Sequence, residues 1–300
     1  MSRNRAGLTL LELLVVLVVL AILATAALRS TEAVIVESRY DATIEQLEEL
    51  EAALVSEPGN AAGSFVADIG RFPQPHTPAP PEPGVIFQEL WDPTDSPELV
   101  NYDFRIRSAP SPDEDVRLAC GWRGPYIRLG VASDGLFDGW GNELLYEPIG
   151  TDGDEVVDSP LLQLGIRSLG ADGSDDGGEE NVYDADIVRI VDVGSIVEGR
   201  LSYLQNVNGE DPVLLEFNGS AEVKLFLPDP AVSESLRIET ATAENGSFIF
   251  NNVPAGRRAL KAEFVVGGET YRAIRYFDVA TTGGTDVRLV GQVVKQPGQP

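Results

Sequence analysis

LTLLELLVVLVVLAILATAAL, residues 8–28, decides how the rest of this chain is organised. The run is almost wholly apolar and long enough to cross a bilayer as a helix, which takes roughly 20 residues. Arg3 and Arg5 precede it. Their charge is expected to stay cytoplasmic, which places everything after Leu28 on the far side of the membrane. One residue breaks the pattern. Glu12 puts a carboxylate inside the apolar run, at a cost of roughly 2.5–3.5 kcal/mol at mid-membrane and less near the edge, so a partner for the charge is expected. The helical spacing continues beyond residue 28: Val36, Tyr40, Ile44, Leu47 and Leu54 recur on one face. A single helix is therefore expected to reach about Glu57, with Pro58 and Gly59 ending it. The plainer alternative is a secretory signal peptide with Ala24-Thr25-Ala26 as its cleavage site; Glu12 and the continuing helix argue against it.

A short basic leader, Gly7, and a hydrophobic helix with glutamate five positions after that glycine resemble the signal of type IV prepilins. The resemblance implies cleavage between Gly7 and Leu8 by a prepilin peptidase and methylation of the new amino group of Leu8. It also gives Glu12 a partner, the N-terminal amine of a neighbouring subunit in a filament. Leu8 departs mildly from the phenylalanine usual at that place. The implied location is the bacterial inner membrane, single-pass, with the globular part periplasmic before incorporation into a filament. The implied partners are other copies of the chain, the peptidase and an inner-membrane assembly platform.

Further along, Cys120, GWRGPYI (121–127), DGWGNELLYEP (138–148) and SLGADGSDDGGEENVYDADI (168–187) follow in order. Over residues 8–190 the chain resembles the major pseudopilin of type II secretion. Within this stretch Asn142 is placed near a hairpin turn, with Leu144, Leu145 and Tyr146 in the returning strand. Trp122, Trp140 and Tyr126 read as core aromatics, and Cys120 as a small buried apolar residue. The proline-rich segment 73–83 reads as a surface connection.

The loop 168–187 is the best candidate for chemistry. Asp172, Asp175, Asp176, Glu179, Glu180, Asp184 and Asp186 lie in a glycine-rich setting, and Ca²⁺ takes six to eight oxygen ligands from carboxylates and carbonyls. An EF-hand is rejected, because Tyr183 stands where its bidentate glutamate is needed. The pseudopilin resemblance implies Ca²⁺ held by Leu169 through its carbonyl and by Asp172, Asp184 and Asp186, with Asp175 and Asp176 as alternatives. A solvated acidic loop remains the other reading. The run Asp152, Asp154, Glu155 and Asp158 has no motif behind it and reads as solvent-facing.

After Ile190 the texture turns to short alternating segments rich in β-branched and aromatic residues. Asn208-Gly209, Asn218-Gly219 and Asn245-Gly246 are candidate hairpin turns. This predicts an all-β sandwich of about a hundred residues that folds on its own. NGSFIFNNVPAGRRALK (245–261) resembles carboxypeptidase-regulatory-like or transthyretin-like domains, the likeness resting on Asn245, Phe248, Phe250, Val253, Pro254, Ala255 and Gly256. On a filament such a domain would lie outside, available to an exoprotein or a surface ligand.

The expected fold is thus α+β. A long N-terminal transmembrane and amphipathic helix packs on a small antiparallel sheet, followed by the sandwich. The expected pieces are a leader (1–7), helix (8–57), globular domain with the acidic loop (58–191), sandwich (192–292) and tail (293–300). A net charge of −26, from 48 acidic and 22 basic residues, argues against nucleic acid as a partner. The single histidine, His76, and single cysteine, Cys120, exclude His-pair metal sites and internal disulfides. No segment concentrates a nucleophile, base and oxyanion donor, so an enzyme is not expected. Two functions remain: a filament subunit, or a membrane-anchored extracytoplasmic binding protein whose sandwich recognises protein or carbohydrate.

Overall fold

The computed structural model describes residues 10–55, 63–74, 87–94, 96–129, 135–149, 163–175, 182–205, 211–231, 234–281 and 283–294, without the side chains of 26–30, 148 and 149. The first element, α1 (Leu10–Leu54), is one continuous helix. Its two halves differ in what they meet. From residue 10 to 23 the large apolar side chains are exposed, Leu10 at 83% and Val19 at 50%. In the C-terminal half a stripe of Thr43, Leu47, Leu50 and Leu54 is buried, and Val36, Tyr40 and Ile44 are half-buried. The stripe follows the spacing of three and four that brings side chains onto one helix face. Sequence reading found most of it but missed Thr43 and Leu50. The helix ends at Leu54 rather than near Glu57; Pro58 and Gly59 lie outside the described residues. Among the described residues no helix is long and apolar enough to cross a membrane. The expected span of 8–28 includes residues 8 and 9 and the side chains of 26–28, which are outside that set.

A short helix, α2 (Phe65–Ile69), follows. Strands β1 (Arg105–Ser108) and β2 (Arg117–Cys120) then pair antiparallel, and β3 (Leu145–Ile149), β4 (Gln163–Ser168) and β5 (Ile187–Asp192) form an antiparallel sheet in that order. Residues 137–143 make a minimal hairpin, a single bridge from Phe137 to Glu143. The strand expected to return along it, β3, pairs with β4 instead. One core gathers Leu47, Leu50 and Leu54 of α1, Phe65 and Ile69 of α2, Cys120 of β2, Leu164 and Ile166 of β4, and Val191 of β5.

The remaining strands are β6 (Gly194–Gln205), β7 (Val213–Glu216), β8 (Ala221–Leu227), β9 (Arg237–Ala243), β10 (Ser247–Pro254), β11 (Gly256–Val266), β12 (Glu269–Val279) and β13 (Gly284–Val293). They run in the order β10-β6-β13-β12-β11-β8-β9, with β7 also on β6. The β12–β13 link is only two residue pairs long, so the strands divide into two layers, β7, β10, β6 and β13 against β12, β11, β8 and β9. Alternate side chains from both layers meet in a second core: Val197, Leu201, Phe248, Phe250, Val287 and Leu289 from one, Val223, Leu225, Leu260, Phe264 and Phe277 from the other. The overall class is α+β.

The two cores are not separated by a linker. Phe226, on the face of β8 opposite Val223 and Leu225, is fully buried and belongs to the first core together with Leu236 and Ala259. The outer face of β8, β11 and β12 is therefore covered by the preceding part of the chain. An ion network borders the covered area. Asp113, in the β1–β2 turn, meets Lys224 at 2.7 Å and Lys261 at 2.9 Å, and Lys261 also meets Asp115 at 2.7 Å. Arg272 adds contacts to Asp115 and Glu263, and Glu222 lies near Lys224. Burial works against ionisation of Asp113, but the two lysines hold its carboxyl below the ordinary range. A carboxylate with a depressed folded pKa contributes stability above its unfolded value of about 3.9, and that contribution fades as pH falls through the folded value. Lowering pH from about 5 to 2 should thus reduce the melting temperature, and Asp113→Asn should flatten the acid limb relative to the parent. Identical acid limbs, measured by thermal unfolding, would rule the network out as a source of this dependence.

Candidate functional site

Of the stretch that resembles a prepilin signal, the described residues begin at Leu10, the start of α1. Glu12 occupies the first turn of the helix, inside its exposed apolar half; Gly7 and Leu8 lie outside the described residues.

The acidic loop is built on a hub that sequence reading did not single out. Asp138, 5% exposed, accepts hydrogen bonds from the backbone N–H groups of Trp140 (3.0 Å) and Asn142 (2.8 Å) and from the hydroxyl of Ser168 (2.7 Å). Asn142 in turn donates from Nδ2 to the carbonyl of Gly170 at 2.7 Å. The N–H of Gly139 donates to the hydroxyl of Thr43 on α1 at 2.9 Å, and Tyr40 of α1 meets the rings of Trp140 and Tyr183 edge-on, centroids 6.3 and 5.7 Å apart. The 138–142 turn, the Ser168–Gly170 turn and α1 are thereby fastened together. The only sequence sign of the hub is an aspartate four residues before an asparagine, with two glycines and a tryptophan between them, a pattern suited to side-chain capping of a tight turn.

Around that hub the candidate ligands divide. Gly170 lies so close to the returning chain that a Cβ there would sit 2.7 Å from the carbonyl of Asp184 and 2.9 Å from that of Ala185, and the N–H of Ala171 donates to the carbonyl of Tyr183 at 2.8 Å. The turn containing Leu169 thus abuts the segment containing Asp184 and Asp186. Asp172 is exposed and caps the N–H of Ser174 at 3.0 Å. Asp186 is largely buried; its Oδ1 accepts no hydrogen bond among the described residues, while its Oδ2 lies 3.4 Å from Arg167. Arg167 also pairs with Asp175 and Glu147. This arginine was missed in reading the loop as purely acidic, because it lies on β4, ahead of the glycine-rich stretch. Asp176, like Asp152, Asp154, Glu155 and Asp158, lies outside the described residues, as does the proline-rich segment apart from Pro73 and Gln74. Among the described residues no three His, Cys, Asp or Glu side chains converge in a way that could hold a metal.

Other sequence readings are found as expected. Cys120 is fully buried, its thiol pushed up by that burial. Trp122 is half-buried and donates from its indole N–H to the carbonyl of Glu89 at 2.8 Å. Phe248 and Phe250 both face the second core.

Comparison with known proteins bears mainly on the N-terminus. Residues 2–28 match the family model described as "Prokaryotic N-terminal methylation motif". That stretch contains Gly7, Leu8 and Glu12, and the N-terminus is of the prepilin type. No curated protein matches the chain. Among solved structures, the chain is similar to that of a candidate carbohydrate-binding protein from Pseudomonas aeruginosa, with 16% identity and a TM-score of 0.23, over 33% of this chain and 89% of the other.

Proposed function

We propose that this chain is a structural subunit of a type IV pilus-like or type II secretion pseudopilus filament, inserted through residues 8–28, trimmed between Gly7 and Leu8 and methylated on Leu8. The observation that carries the reading is the methylation motif over residues 2–28 on a helix whose first half is bare, with apolar side chains 50–83% exposed from residue 10 to 23. A continuous apolar surface of that size is covered in water-soluble proteins, so it calls for lipid first and neighbouring subunits later. Glu12 then has a role in both settings. Near the membrane edge its carboxylate is tolerated, and between packed helices it neutralises the amine of a neighbour's Leu8. The sandwich would ride on the outside of such a filament. Expressed with a matching assembly platform and prepilin peptidase, the chain should be recovered in sheared filaments; recovery solely as membrane-bound monomer would contradict the proposal.

We further propose that the loop 168–187 binds Ca²⁺ through Leu169, Asp172, Asp184 and Asp186, with Asp175 and Asp176 as alternative ligands. Support comes from the buried acceptor atom of Asp186 that no hydrogen bond among the described residues uses, and from the close approach of the Gly170 turn to the Asp184 carbonyl. Arg167 supplies a competing positive charge to Asp175 and Asp186. An ion that binds the folded state alone stabilises it by about 2.7 kcal/mol at a hundred times its dissociation constant. The melting temperature should therefore rise with Ca²⁺ relative to a chelator, and rise little with Mg²⁺, which prefers tight octahedral sites and keeps its waters. Asp172→Ala should remove most of the shift and Asp154→Ala none. Equal losses would indicate diffuse screening by an acidic surface.

A further inference from the structure

Arg258, on β11, is fully buried. Burial lowers its pKa to about 10, yet every N–H of the guanidinium has an acceptor. Nε donates to the carbonyl of Pro254 (3.0 Å), Nη1 to those of Arg257 (2.9 Å) and Ala67 (3.1 Å), and Nη2 to those of Ala255 (2.5 Å) and Val66 (3.4 Å). A guanidinium has five donors in a fixed fork. Here three of them hold the turn from β10 into β11, and the two directed to Val66 and Ala67 hold α2, about 190 residues earlier in the chain.

Backbone packing at the same place is equally close. Gly256, at φ +120°, lies against α2 so tightly that a Cβ would sit 2.6 Å from the Cα of Ala67. Gly70, just past α2, is pressed against the carbonyl of Pro228, which follows β8. Tyr102 contributes its hydroxyl as acceptor for the N–H of Asp229 at 3.1 Å. Beside these contacts Phe226, Leu236 and Ala259 complete the first core from the sandwich side. Independently folding domains each keep a complete core of their own. Separated here, the sandwich would keep three of five acceptors for a buried cation, and the first core would lose a fully buried phenylalanine.

We infer that the sandwich and the preceding globular part form one cooperative folding unit, locked by Arg258 between β11 and α2, so that the sandwich is carried at a fixed orientation and not on a hinge. This departs from the expectation of a self-sufficient domain over 192–292. It stands apart from the filament reading, since it concerns a single chain.

The position of the tryptophans makes a direct test possible. All three, Trp91, Trp122 and Trp140, precede the sandwich, so their emission reports the first part alone. The full-length chain in detergent micelles is unfolded with denaturant, followed by tryptophan emission and by hydrogen exchange of peptides from β12 and β13. Leu225 is fully buried in the second core and absent from the first. Leu225→Ala should lower the tryptophan midpoint together with the protection of β12 and β13. Lost protection in β12 and β13 with an unmoved tryptophan midpoint would overturn the proposal. Should Leu225→Ala not be recovered folded, Val287→Ala, a smaller truncation in the same core, gives the same comparison. Arg258→Lys retains the charge with three donors in place of five. In that background the tryptophan midpoint should follow Leu225→Ala less than in the parent chain; an undiminished response would remove Arg258 from the role of lock.

Discussion

Glu12→Ala is expected to leave the chain in the membrane and remove it from filaments. Alanine is cheaper than a carboxylate inside an apolar helix, so insertion should be unchanged or improved. Assembly is different. If the Glu12 carboxylate neutralises the amine of a neighbouring Leu8 among packed helices, deleting it strands a positive charge in a low-dielectric setting, which typically costs about 3–5 kcal/mol. At about 1.4 kcal/mol per tenfold, recovery in filaments should drop by two orders of magnitude or more. Membrane fractionation and filament shearing of the same cells separate the two effects. Wild-type recovery of Glu12→Ala in filaments would eliminate charge pairing as the use of this residue.

Phe226→Ala should be the most damaging single truncation in the sandwich strands. The side chain is 0% exposed and sits in the first core although its strand neighbours fill the second. Phenylalanine deletions at such sites cost about 3–5 kcal/mol. Ile249→Ala serves as contrast, since Ile249 is 51% exposed on the outer face of β10 and should change stability by about 0.5 kcal/mol or less. Equilibrium denaturation of both variants gives the comparison. A loss below about 1 kcal/mol for Phe226→Ala would mean that the preceding part of the chain does not cover this face.

What could be read in advance was local. Asn245-Gly246 announced a two-residue turn, and the pair adopts φ of 50° and 75° between β9 and β10, the positive values that a type I′ turn requires. Phe248 and Phe250, two apart, were bound to share a strand face. Asn218-Gly219 carried the same local signal; at both places the chain passes from one layer to the other, from β7 to β8 and from β9 to β10, because the partner of a strand is a long-range matter. The sequence LFLP at 225–228 did hold a hint of two-sided burial, since a continuous apolar run fits a strand covered on both faces. Arg258 gave none. Its acceptors are backbone carbonyls, which every residue carries and no side-chain pattern advertises. The acidic loop was legible as a concentration of oxygen ligands, but Arg167, Asp138 and the Tyr40–Tyr183 contact enter from other elements and were not.

The filament reading rests on processing at one peptide bond. Intact-mass and N-terminal peptide analysis of the chain coexpressed with a prepilin peptidase tests it most directly. The account predicts loss of the seven residues through Gly7 and a methyl group on the amine of Leu8. A mature chain beginning at Ala27, after Ala24-Thr25-Ala26, would contradict it.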